Sequence, residues 1–201
     1  MAQAVYGGRV PSGLAVAWSG AVNHTQFDVY TDNDCVYLVF AGSNEAADWL
    51  NHCLVRREEI PGTGLLIHRG WLRDWQACIP IVYAVMREQL RGDRQHIWCV
   101  GHSYGGALAQ IAAWYLAAED RAKSVSICNF ASPRAGNKSF AVDLDKKVSC
   151  YNRIVLANDP VPHLPLAFRY SHGGTENKYP SRRLPHHMAS YIAAIKGEEE
   201  K

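Results

Sequence analysis

Trp98-Cys99-Val100-Gly101-His102-Ser103-Tyr104-Gly105-Gly106 reads as a strand, a tight turn and the start of a helix. Residues 96–100 are a short apolar run, and beyond Tyr104 the residues Leu108, Ile111, Ala112, Tyr115 and Leu116 recur at helical spacing. Between the two lies Gly101-x-Ser103-x-Gly105, the nucleophile-elbow pattern. A serine held on a strained turn stands clear of the sheet, and small residues beside it let neighbouring chain pass close. The same pattern also arises by chance as a plain glycine-rich turn. The strand before it and the helix after it favour the elbow.

Upstream, residues 25–30 and 35–40 are β-rich and separated by Thr31-Asp32-Asn33-Asp34, which predicts a hairpin and makes the early sheet antiparallel. Residues 1–24 show little pattern, with 14–18 expected to start a short helix. A strand break at Phe40-Ala41-Gly42-Ser43 leads into a short helix expected over 44–55. Arg56-Arg57-Glu58-Glu59 reads as a solvated face and Pro61-Gly62-Thr63-Gly64 as a loop. After a brief strand over 65–67, the apolar positions Leu72, Trp75, Ile79, Val82, Tyr83, Met86 and Leu90 predict a long amphipathic helix over 71–90, bent at Pro80.

Downstream, strands are expected over 124–130 and 150–156, with a helix over 138–145 between them. Asn158-Asp159-Pro160 falls at the C-terminal end of the second strand, where open α/β sheets carry their functional loops. Asp159 is therefore a candidate carboxylate partner, against the plainer reading of a turn-forming Asp before proline. Residues 167–170 are expected to form an edge strand and 171–183 a polar loop. The chain closes with Pro185-His186-His187 and a helix bearing Met188, Tyr191, Ile192 and Ile195 on one face.

A chain of 201 residues, 48% hydrophobic and 20% charged, is expected to form one domain over residues 1–201 with a substantial core. Its net charge of +2 gives no argument for a nucleic-acid or anionic-membrane partner. No apolar stretch approaches the length of a membrane span, and the N-terminus lacks the pattern of a secretory leader. Cys35, Cys99, Cys128 and Cys150 fall in or beside apolar strand-like runs, and with Cys53 and Cys78 they form no C-x-x-C pair. Reduced thiols in a cytoplasmic protein are the expectation. Nine histidines include no H-E-x-x-H or Cys/His ligand spacing, so no metal site is expected. Gly101 to Gly106 fits neither phosphate-loop nor dinucleotide spacing, so no cofactor is expected either.

Seven segments carry a resemblance: Phe40-Ala41-Gly42-Ser43, Asp48-Trp49-Leu50, His68-Arg69-Gly70-Trp71, the 101–106 stretch, Ala131-Ser132-Pro133-Arg134-Ala135-Gly136-Asn137, Asn158-Asp159-Pro160-Val161-Pro162-His163-Leu164-Pro165, and His186-His187-Met188-Ala189-Ser190-Tyr191. In this order they resemble the class 3 lipases, the fungal-lipase-like branch of the α/β hydrolases. The resemblance implies an α/β-hydrolase fold: a central, mostly parallel sheet with an antiparallel N-terminal hairpin and helices on both faces. It implies Ser103 as nucleophile and Asp159 as the carboxylate behind a histidine base. The backbone N–H of Tyr104 and of Ser43, the latter with its hydroxyl, would be oxyanion donors. Read from its own residues, Ser43 is an N-cap of the following helix, and both roles can hold. The family makes His68 structural. It usually has arginine where this chain has Ala41, which counts against an ion pair anchoring Asp48. Residues 45–50 fall where fungal relatives carry a mobile lid, so Trp49 and Leu50 either cover an acyl groove or pack in the core.

Helical periodicity does not choose between His186 and His187. The family ending of His, any residue, Met or Leu, two residues and Tyr fits His186-x-Met188-x-x-Tyr191, although fungal relatives use a shorter spacing. His186 follows Pro185 on the loop ahead of the helix, free to aim at Ser103. The triad order Ser, Asp, His is then that of α/β hydrolases. The implied activity is serine carboxylester hydrolysis of acylglycerols or related lipid esters. No cofactor, no nucleic acid and no stable membrane insertion is expected, only transient contact with a lipid interface. The alternatives are an esterase for aromatic acyl esters and a catalytically silent binding module.

Overall fold

The computed structural model describes residues 10–42, 56–92, 94–119, 122–181 and 186–197. The alternating apolar runs form a seven-stranded sheet and a two-stranded ribbon. The sheet strands are β1 (Ala15–Val22), β2 (Thr25–Thr31), β3 (Cys35–Phe40), β6 (His96–His102), β7 (Ser124–Phe130), β8 (Cys150–Leu156) and β9 (Thr175–Tyr179), in the order β1-β2-β3-β6-β7-β8-β9. The ribbon pairs β4 (Arg57–Glu59) with β5 (Leu66–His68). Strands β1 to β3 are antiparallel, and β3, β6, β7, β8 and β9 are parallel to one another. This is the mostly parallel sheet with an antiparallel N-terminal hairpin that the sequence predicted.

Helices α1 (Arg69–Gln89), α2 (Tyr104–Ala118), α3 (Lys138–Lys147) and α4 (Met188–Lys196) cover the two faces unequally. Because side chains alternate along a strand, each strand feeds two cores. Val36, Leu38, Phe40, Ile97, Cys99, Val125 and Ile127 pack under α1, α2 and α3 in the larger core. Val39, Val100, Leu156 and Tyr30 pack under Met188 and Tyr191 of α4 in the smaller one. Helix α2 is buried along most of its length, as a helix apolar on nearly every side must be. Helix α1 runs unbroken through Pro80, and His68 caps it by accepting from the Trp71 N–H, the structural part expected of it.

Four expectations are corrected. Residues 14–18 do not start a helix: they enter β1, whose Trp18 stacks on Phe27 at 4.1 Å. Small residues left that segment without a period, and pairing with β2 decided its form. Residues 56–59 are not merely a solvated face; 57–59 form β4, and Glu58 reaches Arg69 at 3.3 Å. The loop expected over 171–183 contains β9, a polar edge strand held by β8 and by Arg153 bonding Glu176. The edge strand expected over 167–170 is a turn, with Leu166 63% and Phe168 80% exposed. The helix expected over 44–55, with Ser43, Asp48 and the segment 45–50, lies outside the described residues.

Candidate active site

Ser103 stands at the junction of β6 and α2 with φ 55° and ψ −125°, a backbone conformation that costs on the order of 1–3 kcal/mol. The surrounding glycines explain how it is held. A Cβ on Gly101 would overlap the Gly105 carbonyl, and one on Gly105 would overlap the carbonyls of Ala41 and Phe40 at the end of β3. A Cβ on Gly106 would lie 2.6 Å from that of Ser132. The pattern is thus a close-packing requirement of strand end, elbow and helix start, with Ser103 N–H bonded to the Phe130 carbonyl at 2.9 Å.

Asp159 follows β8 in a turn fixed by its own N–H on the Leu156 carbonyl and by Val161 N–H on its Oδ1 at 2.9 Å. The side chain is 0% exposed. Its Oδ2 accepts from the Tyr191 hydroxyl at 2.7 Å, and His186 Nδ1 lies 3.0 and 3.1 Å from the two oxygens. The other face of that imidazole meets the serine: His186 Nε2 is 2.8 Å from Ser103 Oγ. With Nδ1–H turned to the carboxylate, Nε2 presents its lone pair to the hydroxyl. Such an arrangement can take the serine proton as the oxygen attacks a carbonyl.

Of the two adjacent histidines, His186 makes these contacts. His187 is exposed and occupies the N-cap position of α4 without a side-chain capping bond. Tyr104 is the first residue of α2, where backbone N–H groups have no intrahelical acceptor and are available to an anion. Ser43, the other expected donor, is outside the described residues.

Two neighbours of the site escaped sequence reading. Tyr191 looks like one more apolar residue on the face of α4, yet its hydroxyl bonds Asp159 and accepts from Leu156 N–H at 3.2 Å. The signal available was a tyrosine among aliphatics, since a buried hydroxyl requires a partner. His102 is buried beside His186, with ring centroids 5.2 Å apart, and lies edge-on to Tyr191. Burial, then the neighbouring His186, pushes its imidazole down to about 4, so it is neutral at pH 7. Among the described residues no three His, Cys, Asp or Glu side chains converge as a metal set. No described helix is long and apolar enough to cross a membrane.

The family described as Lipase (class 3) matches residues 37–169. A lipase of Rhizopus niveus is 30% identical over 148 residues, covering 71% of this chain and 38% of that protein. The "Secreted mono- and diacylglycerol lipase 1" of Fusarium solani is 29% identical over 155 residues, covering 74% of this chain and 45% of its own. The chain therefore spans less than half the length of these relatives. The Rhizomucor miehei lipase propeptide complex superposes with a TM-score of 0.78 at 25% identity, over 84% of this chain and 56% of that one. A triacylglycerol lipase described as having a serine-protease triad for its catalytic centre gives 0.76 at 26% identity, over 85% and 68%. The fold is the α/β-hydrolase fold of these lipases.

The cytoplasmic expectation is overturned by relatives that are secreted lipases. Its basis was the lack of a leader or membrane-span pattern together with the cysteines, and neither decides the compartment. Cys78 and Cys99 are free and buried, and a thiol packed in a core fills space whatever the compartment, so it carries no address. With two thirds of its residues matched and the motifs in register with the assembled site, the chain belongs to the class 3 lipase family.

Proposed function

We propose that this protein is a serine carboxylester hydrolase acting on acylglycerols or related lipid esters, with residues 1–201 forming one catalytic domain. The observation that carries the reading is His186 bridging Ser103 Oγ at 2.8 Å and Asp159 at 3.0 Å. Ser103 Oγ attacks the ester carbonyl carbon and its proton passes to His186 Nε2. Asp159 holds the Nδ1 tautomer and stabilises the imidazolium. The oxyanion is met by the Tyr104 N–H, and by Ser43 as the family resemblance implies. Collapse of the tetrahedral intermediate hands the proton to the leaving alcohol and leaves an acyl group on Ser103. Water, deprotonated by the same imidazole, then releases the acid. The lipid substrate class rests on the relatives, which are lipases and mono- and diacylglycerol lipases.

The test is covalent labelling by a fluorophosphonate together with hydrolysis of p-nitrophenyl esters from acetate to palmitate. Labelling confined to Ser103, with turnover rising toward longer chains, is expected. Absence of both labelling and turnover would sink the hydrolase reading, and turnover limited to aromatic acyl esters would move the substrate class.

A further inference from the structure

Tyr104 is gripped from outside the elbow. Its hydroxyl donates to Asp74 Oδ2 at 2.6 Å and lies 3.2 Å from Thr25 Oγ1 and 3.4 Å from His24 Nε2. Asp74 stands in α1, and its Oδ1 is 3.2 Å from the same His24 nitrogen. His24 sits in the turn between β1 and β2, with its side chain 68% exposed. That turn is at the Ser103 end of the sheet. Phe27 pairs with Phe40, and Ala41 N–H bonds the Gln26 carbonyl, so residues 24 and 25 lie level with the chain just beyond the C-terminal end of β3. Strand β3 runs parallel to β6, which carries the elbow.

We propose that Asp74, bonded to the Tyr104 hydroxyl and braced by His24, is a positioning residue that fixes the Tyr104 backbone N–H as an oxyanion donor. The inference rests on the ester-hydrolase reading. Three features make such a brace necessary. Ser103 holds a strained φ of 55° that tends to relax. Helix α2 begins without a side-chain cap or an acidic residue in its first turn, so no capping side chain helps to orient its first N–H groups. A tyrosine ring is rigid, so tying its far end to a carboxylate on another helix fixes the backbone it springs from. A leucine would fill the same space without that anchor. Burial first, and then Asp74, push the Tyr104 hydroxyl far above its ordinary range, so it stays protonated and remains the donor. Oxyanion donors act by being in place before charge develops, and small displacements of reacting geometry lower rate steeply.

The test compares Tyr104→Phe, Asp74→Ala and Asp74→Asn with wild type on a soluble short-chain ester, reading kcat and KM separately. Affinity for an alkylboronic acid, which forms a tetrahedral adduct on Ser103, is read alongside. Tyr104→Phe and Asp74→Ala are each expected to lower kcat about tenfold at unchanged KM, with boronate affinity falling by the same factor. Asp74→Asn keeps an acceptor for the hydroxyl and is expected to recover most of the loss. Tyr83→Phe removes a comparable bond, to Glu119 at the far end of α2, and serves as the unaffected control. Tyr104→Phe deletes one oxygen and keeps the test open should Asp74→Ala fail to fold. Wild-type kcat and boronate affinity in a folded Tyr104→Phe protein would overturn the inference. So would a loss confined to thermal stability or to KM. Wild-type protein that neither turns over ester nor takes a fluorophosphonate would overturn the hydrolase reading itself, and the inference with it.

Discussion

Replacing Tyr191 with Phe removes one oxygen from the most enclosed part of the site. Asp159 is a carboxylate with no exposed side-chain surface, and its stability depends on the groups that replace water around it: Val161 N–H on Oδ1, His186 Nδ1 shared by both oxygens, and the Tyr191 hydroxyl on Oδ2. Without the hydroxyl, Oδ2 keeps His186 alone. A hydrogen bond to a charged group contributes roughly 1.5–3 kcal/mol. The Leu156 N–H, which donates to the same hydroxyl at 3.2 Å, loses its acceptor, and a stranded buried donor costs about 1–2 kcal/mol. The sum is about 2.5–5 kcal/mol, a large part of the roughly 5–15 kcal/mol that holds a domain of this kind together. The ring and its edge-on contacts with His102 and Phe130 are retained, so the loss reports the hydroxyl rather than a cavity. Urea unfolding followed by tryptophan fluorescence measures it, with an unchanged denaturant slope as the sign that the same transition is being read. The carboxylate also loses part of what orients it toward His186, so kcat is expected to fall by about tenfold. A Tyr191→Phe protein within about 1 kcal/mol of wild type, with wild-type kcat, would refute the reasoning.

Ser103→Ala is expected to lower kcat by a factor on the order of 10⁴ to 10⁶ with folding intact, because nucleophile and base act as a unit; more than a tenth of wild-type activity in the folded variant would contradict it. His186→Ala should cost about as much, and the exposed His187→Ala less than about tenfold, with the reverse ranking moving the base by one residue. Gly105→Ala drives a methyl into the Phe40 and Ala41 carbonyls and should cost more than about 3 kcal/mol, whereas Gly62→Ala, at φ 75° with open space around it, should cost about 1. Equal losses from the two in chemical denaturation would show that crowding at the elbow is not the constraint. Burial pushes His68 and His102 down to about 4 and His172 to about 3, from an ordinary 6.5. The unfolded chain thus takes up these protons first as pH falls, and the stability present above about 6.5 is lost on the way down to about 4. Between pH 7 and pH 5 each group contributes a loss of roughly 2 kcal/mol, which urea titrations at the two values would detect, a flat profile being the contrary result.

The elbow was legible because its sequence signature is local, although the atoms that crowd Gly105 and Gly106 belong to Phe40, Ala41 and Ser132. The apolar run, the glycines and the helical spacing occupy one continuous stretch, and the packing demand on Gly101 and Gly105 is written into the pattern itself. Asp159 was legible for the same reason, as a turn residue at a strand end. Strands β1 and β9 were not legible. Small residues blur the period of β1, and the polar side chains of β9 face solvent from the edge of the sheet, so pairing with a neighbour makes each a strand. The choice of His186 over His187 came from the family ending and from the position after Pro185, because periodicity locates a helix start only to within a residue or two. The contacts of Tyr191, Asp74 and His24 were invisible in the sequence because each bonds a partner at least 30 positions away in the chain.

Two of the three groups that satisfy Asp159 come from one short segment, His186 and Tyr191, five residues apart at the start of α4. Only Val161 is local to the carboxylate. Helix α4 is itself held by the smaller of the two cores, through Met188 and Tyr191 against Val39, Val100 and Leu156. Docking of α4 therefore does three things at once: it buries that face of the sheet, brings the imidazole to Ser103, and supplies two of the hydrogen-bond partners of the enclosed Asp159 side chain. An undocked α4 leaves Ser103 without its His186 contact and Asp159 with the Val161 N–H as its one remaining protein donor among those named. Burial of Met188 and Tyr191 against Val39, Val100 and Leu156 favours the docked state. Assembly of the site and closure of the smaller core are in this way one equilibrium, and that is why a single hydroxyl on the buried face of a nine-residue helix is expected to bear on both stability and turnover.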